Sequence, residues 1–227
     1  MPRGKQSKGQ CTYCQTDIVK NVVTKHLTTC PQHLAIIQKA ATKKGKPETL
    51  LHLRIQSADN KEFWIDVEMR GSKTLLDLDN YLRAIWLECC GHLSEFSIGA
   101  WEEDKFDMDE RIAAVFSQTT TLTHLYDFGT TSETNISLIG TREGHPTTSH
   151  PLALMVRNLM PEAKCSECGE PATQFCMECV VEEDQSGDLC DAHADDHPHD
   201  NYGEPVPIVN SPRMGMCGYT GPAEAPY

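Results

Sequence analysis

Eight cysteines and histidines, Cys165, Cys168, Cys176, Cys179, Cys190, His193, His197 and His199, fall within thirty-five residues of a 227-residue chain. Cys165/Cys168, Cys176/Cys179 and Cys190/His193 each enclose two residues, and His197/His199 enclose one. A Cys-x2-Cys knuckle turns both sulfurs toward one point, and soft or borderline donors in fours suit tetrahedral zinc. Eight such donors satisfy two ions, whereas a single ion leaves four idle. The segment holds too few apolar side chains to fold by burial alone, so metal binding and folding are expected to be one event. With every coordination place filled by protein, both ions are expected to be structural, with no position left for an activated water.

Spacing alone leaves three arrangements open. In an alternating one, Cys165, Cys168, Cys190 and His193 share one ion, and Cys176, Cys179, His197 and His199 share the other. In a sequential one, the four knuckle cysteines hold one ion, and Cys190 holds the second with the three histidines. In the third, one zinc is followed by a disordered acidic, His-rich tail. The segment resembles a B-box-type zinc finger, with a shorter spacing between its last two histidines.

A second metal pattern lies near the N-terminus. CTYCQTDIVKNVVTKHLTTC places Cys11 and Cys14 around two residues, His26 twelve positions further on, and Cys30 four after that. Residues i and i+4 share a helix face, so His26 and Cys30 can complete a tetrahedron with the knuckle. Ile18, Val22 and the stem of Lys25 are expected to line the same short helix, and His33 is the reserve ligand. This segment resembles a CCHC-type zinc finger. The following QHLAIIQKAATKK reads as a helix with Leu34, Ile37 and Ala41 as its apolar stripe.

Charge is divided unevenly. Residues 1–46 carry nine Lys/Arg and one acidic residue, whereas residues 161–227 carry two against fourteen. A basic segment is the electrostatic footprint of a nucleic-acid contact, with Lys20 and Lys25 as candidates for phosphates and Arg3, Lys5, Lys8, Lys39, Lys43, Lys44 and Lys46 around them. The plainer reading is that these cations solvate a small finger. The acidic end favours a basic protein surface, or the chain's own basic segment, over nucleic acid. The chain shows no apolar run of membrane-spanning length and no signal-peptide core, so a cytoplasmic protein is expected, and its eleven cysteines read as metal ligands rather than disulfides.

Between these ends, the pattern changes at Lys44-Gly45-Lys46-Pro47. Leu51, Leu53 and Ile55 alternate with polar residues, as do Phe63, Ile65, Val67 and Met69, which predicts a hairpin with one buried face. Thr74 and Asp77 form a capping box for a helix whose stripe is Leu75, Leu78, Leu82, Ile85 and Cys89, ending by Gly91. Strands are predicted at Phe96–Ala100, Leu122–Phe128, Ile136–Ile139 and Leu152–Val156, with an acidic helical insert from Glu102 to Gln118. Cys89 and Cys90 read as buried structural thiols. The order of elements is that of an α+β domain.

The run TLLDLDNYLRAIWLECCGHLSEFSIG, with HLYDFG downstream, resembles the plasmid pRiA4b ORF-three-like family, whose members include passenger proteins of an insertion element. The resemblance spans residues 48 to 160 and rests on His92-Leu93 with Phe96 and on Tyr126-Asp127-Phe128-Gly129. It implies a compact α+β domain linked to metal-binding tails, with no particular activity. Thr130, Ser132 and Thr134 stand where family members commonly carry Asp, Trp and His. His92, His124 and Asp127 do not form a catalytic set on this reading, because His124 and Asp127 point to opposite strand faces. No nucleophile elbow or phosphate-cradling Gly-rich loop accompanies them.

The expected architecture is a basic finger over residues 1–46, an α+β domain over 47–160, a two-zinc module over 161–200 and an extended Gly/Pro-rich tail over 201–227. Val206, Ile208, Val209, Met214, Met216 and Tyr219 make that tail apolar enough to dock, and Cys217 has no assigned role. The expected function is non-enzymatic macromolecular interaction, with three zinc ions and a protein partner and no small-molecule substrate. The alternatives are a nucleic-acid-binding regulator tied to mobile elements and a metal-dependent hydrolase.

Overall fold

A computed structural model describes residues 7–101 and 104–227. Arg3 and Lys5 of the basic segment and Glu102 of the acidic insert lie outside the described residues. In chain order the elements are β1 (Lys8–Cys11), β2 (Asp17–Val19), α1 (Val23–Thr29), α2 (Pro31–Ala41), β3 (Glu48–Ser57), β4 (Trp64–Arg70) and α3 (Leu75–Leu82). There follow β5 (Ser94–Ser97), β6 (Lys105–Phe106), α4 (Ile112–Val115), β7 (Thr121–Tyr126), β8 (Ser132–Gly144) and β9 (Leu152–Asn158). The C-terminal part holds β10 (Gln174–Phe175), α5 (Met177–Val181), β11 (Asp188–Leu189), α6 (Asp191–Asp195) and β12 (Val206–Pro207). This is a mixed α+β fold, and no described helix is long and apolar enough to cross a membrane.

Nine strands form one antiparallel sheet in the order β2-β1-β9-β4-β3-β8-β7-β5-β6. The β3–β4 hairpin pairs Leu51 with Met69, Leu53 with Val67 and Ile55 with Ile65. Those six side chains form one apolar face, over which α3 lays Leu75, Leu78 and Leu82, followed by Ile85 and Trp86. The predicted capping box starts α3: Thr74 Oγ1 accepts from the Asp77 N–H and the Asp77 carboxylate accepts from the Thr74 N–H. The helix then widens into a π turn over Arg83–Leu87 and stops before Gly91.

Four expectations are corrected. The hairpin is not exposed on its second face, because every residue from Trp64 to Met69 is buried. Asp66 is covered by His52 and Arg54, Glu68 by Arg142, and Trp64 by the finger. The finger is also not a detached arm: β1 is a strand of the sheet, with Gly9 paired to Asn158 and Cys11 to Val156. Glycine is required there, since a Cβ on Gly9 would lie 2.6 Å from the Arg157 carbonyl oxygen and 2.7 Å from the Trp64 ring. The acidic insert is not one helix. The turn closed by the Glu110 N–H on the Asp107 carbonyl breaks it into β6 and the short α4. The strand expected at Ile136–Ile139 runs the whole of Ser132–Gly144, because its polar residues pair with β7 at the start and with β3 from Thr134 to Gly144, across a register shift at His52/Leu53.

The tail is docked, with few regular elements. β12 joins β10 and β11 in a small three-stranded sheet. Beyond it, Arg157 Nη2 donates to the Asn210 carbonyl at 2.8 Å and to the Ala223 carbonyl, and Ser211 Oγ donates to the Trp86 carbonyl at 2.6 Å. Tyr219 is buried, and the Tyr227 ring stacks on His150 with centroids 4.1 Å apart. Residues 208–227 thus form a strap along the sheet domain.

Candidate metal centres

Three groups of four Cys/His side chains could each hold a metal ion, with ligand atoms lying within 4.8 Å of one another. The first is Cys11, Cys14, His26 and Cys30. Cys11 ends β1, and Gln15, in the left-handed region at φ 59°, closes the knuckle by donating its N–H to the Cys11 carbonyl at 2.8 Å. His26 comes from α1. Cys30 sits where α1 ends and α2 begins, with Pro31 opening the second helix at a position where no N–H is needed. Cys14 Sγ and His26 Nε2 are 3.4 Å apart. His33, the reserve ligand, is committed elsewhere: its Nδ1 meets the Leu27 carbonyl at 2.9 Å and its ring stacks on Tyr13.

The helical faces around this centre differ from expectation. Ile18 lies on β2 and Val22 is exposed, whereas Val23 and Leu27 are the residues of α1 that pack beneath Trp64, Met155 and Val156. In α2 the buried positions are His33 and Ala40, while Leu34 is exposed. Lys20 is drawn into the protein. Its amine binds Gln56 and the Lys61 carbonyl and lies 5.5 Å from the Trp64 ring centroid. Burial lowers its pKa to about 8. Lys25 is exposed.

The second and third groups are Cys165, Cys168, Cys190 and His193, and Cys176, Cys179, His197 and His199. The alternating arrangement is therefore the one the fold assembles, and the sequential one is not. The reason is the chain path. β10 and β11 pair back to back and bring Cys190, at the start of α6, beside the Cys165 knuckle. Cys176 caps α5 and Cys179 lies within it, facing the segment after α6. The short His-Pro-His spacing is accommodated by opposite ring nitrogens: His197 presents Nε2 and His199 presents Nδ1, 3.1 Å apart, with the rings edge to face.

The separations test these donor sets. Tetrahedral zinc with its usual bond lengths sets edges of about 3.8 Å between sulfurs, about 3.6 Å between sulfur and nitrogen and about 3.4 Å between nitrogens. Cys168 and Cys190 sulfurs are 3.8 Å apart. His193 Nδ1 lies 3.5 Å from Cys165 and 3.2 Å from Cys190. Cys179 lies 3.3 Å from His197 and 3.2 Å from His199, and Cys176 lies 3.8 Å from His199. The donors fit such an ion closely.

The supporting groups are also in place. Glu183 meets His199 Nε2 at 3.2 Å, on the nitrogen facing away from the other donors, which is the contact that orients a metal-binding imidazole. Glu178 accepts from the Asn201 backbone and side chain at 2.9 and 2.6 Å, tying the third group to the tail. A hydrogen bond with Thr16 holds Cys14 at about 6, while burial pushes Cys11 up to about 11 and Cys179 to about 12. An incoming ion must displace the protons of the latter two, so binding weakens as pH falls.

The remaining candidates are structural or lie apart. His124 is fully buried and meets Asp79 at 2.8 Å; that carboxylate also takes Ser94 at 2.7 Å and Arg83 at 2.6 Å. Asp127, in the left-handed region at φ 66°, pairs with Arg213 at 2.7 Å, and His92 stands 3.5 Å from it. The sequence pattern around Arg213 does not mark it as a buried partner of Asp127. Its only signal was being one of two cations in the acidic last 67 residues.

No family model matches the chain, and no curated protein matches it. Among solved structures, the chain is similar to a protein of unknown function from Methanosarcina mazei Go1, at 17% identity over 54% of this chain and 75% of that one, with a TM-score of 0.42. A likeness at that level carries no functional argument.

Proposed function

We propose that the chain is a three-zinc, non-enzymatic interaction protein, in which a CCHC-type finger and a B-box-like module are rigid recognition surfaces on an α+β scaffold. The observation that carries this reading is the gathering of twelve ligands into three complete tetrads, none shared and none short of a member. Zinc suits the Cys3His, Cys3His and Cys2His2 sets, and each ion would be closed by protein. A closed ion supplies folding energy rather than a nucleophile, because no place remains for a water of lowered pKa. The central domain contributes the surface that holds the modules in place, consistent with its resemblance to the plasmid pRiA4b ORF-three-like family.

The partner that fits best is a protein with a basic face, met by the acidic C-terminal module. A phosphate partner at the N-terminal finger is the weaker reading, since Lys20 is occupied within the protein. Zinc K-edge absorption spectroscopy of the metal-loaded protein tests the structural role. Only sulfur and imidazole nitrogen are expected in the first coordination sphere, eight sulfurs and four nitrogens among twelve ligands; an oxygen scatterer at a full site's occupancy would overturn the reading in favour of an open, hydrolytic centre.

A further inference from the structure

Outside the three tetrads, the cysteines are Cys89, Cys90 and Cys217. Two of them meet at one edge of a buried guanidinium. Arg213 belongs to the C-terminal strap and is fully buried; its Nε lies 3.3 Å from Cys89 Sγ and its Nη2 lies 3.6 Å from Cys217 Sγ. Those two nitrogens are neighbours on the planar fork, so both sulfurs lie against one guanidinium. The other edge is held by the domain. Nη1 donates to the Thr130 carbonyl and to Ser132 Oγ, both at 2.9 Å, and Nη2 donates to Asp127 Oδ2 at 2.7 Å. The Tyr126 ring lies against the guanidinium at 4.8 Å, with its hydroxyl 3.8 Å from Cys89.

The two sulfurs are chemically unequal. Burial pushes the Cys89 thiol up, but hydrogen bonds from Arg213 and Tyr126 outweigh it and hold the group below its ordinary value. Burial raises Cys217, and Cys89 and Asp127 keep it raised against the pull of Arg213. The more acidic Cys89 thiol therefore faces a less acidic Cys217 thiol, the order of acidity that favours Cys89 as the attacking sulfur. Cys89 is half-buried and Cys217 is exposed, so a small oxidant can reach both. Cys90 is a poorer partner. Adjacent Cα atoms lie about 3.8 Å apart across a trans peptide, short of the roughly 4.4 Å that an unstrained disulfide requires. A metal ion held by His92, Asp127 and Cys217 is disfavoured as well, because the guanidinium already occupies the Asp127 carboxylate and would repel it.

We propose that Cys89 and Cys217 form a peroxide-oxidised dithiol site whose disulfide staples the C-terminal strap to the segment following α3. The Cys89 thiolate attacks hydrogen peroxide; an S–O bond forms, the O–O bond breaks, and the departing oxygen takes a proton from solvent and leaves as water. Cys89 becomes a sulfenic acid, oxidised by two electrons as the peroxide is reduced. The Cys217 sulfur then displaces the hydroxyl, which leaves as water with the Cys217 proton. Two thiols and one peroxide thus give one disulfide and two waters.

The test treats the full-length, zinc-loaded protein with equimolar hydrogen peroxide, then maps thiols by alkylation, digestion and mass spectrometry without reduction. The expected result is a peptide pair joining Cys89 to Cys217, dissolved by a reductant, formed before any cysteine of the three tetrads is oxidised. In Cys217→Ser the linked pair is lost and Cys89 accumulates as a sulfenic acid that dimedone captures. Cys90→Ser, which leaves the strap untouched, retains the same yield of linked pair. Pairing of Cys89 with Cys90 or with a second chain, or oxidation of the tetrads ahead of Cys89, would overturn the proposal.

Discussion

Replacing Trp64 by alanine separates two ways in which the N-terminal centre could relate to the sheet. Trp64 is fully buried; it clusters with Cys11, Val23, Leu27, Cys30 and Met155, and its Nε1 donates to Ser7 Oγ at 2.7 Å. Truncating a buried aromatic of this kind costs about 3–5 kcal/mol, of which the lost hydrogen bond is about 1 kcal/mol. The cluster joins the sheet to the segment bearing Cys11, Cys14, His26 and Cys30, so the loss falls on the docking of that candidate metal site. Metal binding and folding of a small site share one free energy. At about 1.4 kcal/mol per factor of ten, zinc affinity at the N-terminal centre is expected to fall between roughly a hundredfold and a few thousandfold. Titration of the zinc-loaded variant with a chromophoric chelator reads this directly: one ion leaves early and two leave as in wild type. Trp86→Ala is the control, equally buried but in the main core beneath α3, and it is expected to lower stability without singling out one ion. Equal weakening of all three centres by Trp64→Ala, or none, would refute the coupling.

Further outcomes follow from the same geometry. Asp79→Asn removes the acceptor shared by His124, Arg83 and Ser94 and is expected to cost about 3–5 kcal/mol in chemical denaturation at neutral pH. Although burial raises the Asp79 pKa, the bonds from His124, Ser94 and Arg83 hold it at about 2 against an ordinary 3.8. Its contribution is therefore present above about pH 4 and lost as pH falls toward 2, so the gap in stability between wild type and Asp79→Asn should narrow across that window. A gap independent of pH would contradict it. Glu183→Gln is expected to weaken the third centre alone by roughly tenfold, the low end for such an orienting carboxylate because Glu183 is partly exposed. Metal competition on that variant checks it, and an unchanged third ion would contradict the orienting role.

The candidate ligand groups were legible because coordination chemistry is local: knuckle spacing and the His26/Cys30 helical repeat mark possible donors without knowledge of the fold. Pairing of the C-terminal ligands was not, since it depends on how β10 and β11 bring Cys190 back to Cys165, and spacing permits both arrangements. The β3–β4 hairpin and α3 were readable from alternation and a capping box. The incorporation of β1 into the sheet was not, because Lys8–Cys11 is too short to show a period and its partner lies nearly 150 residues away. The strap shows the same limit. Its apolar residues suggested docking, but the residue that anchors it is a lone arginine whose partners, Asp127 and Ser132, are more than 80 residues upstream. A buried ion pair at that separation leaves no pattern in either segment.

The central claim is that three closed metal centres organise this chain, and native mass spectrometry of protein produced with zinc tests it most directly. The account predicts three zinc ions per chain, falling to two in His26→Ala and to two in His193→Ala, with the remaining ions retained in each case. Two ions or fewer in the wild-type chain, or an unchanged count in either variant, would contradict it.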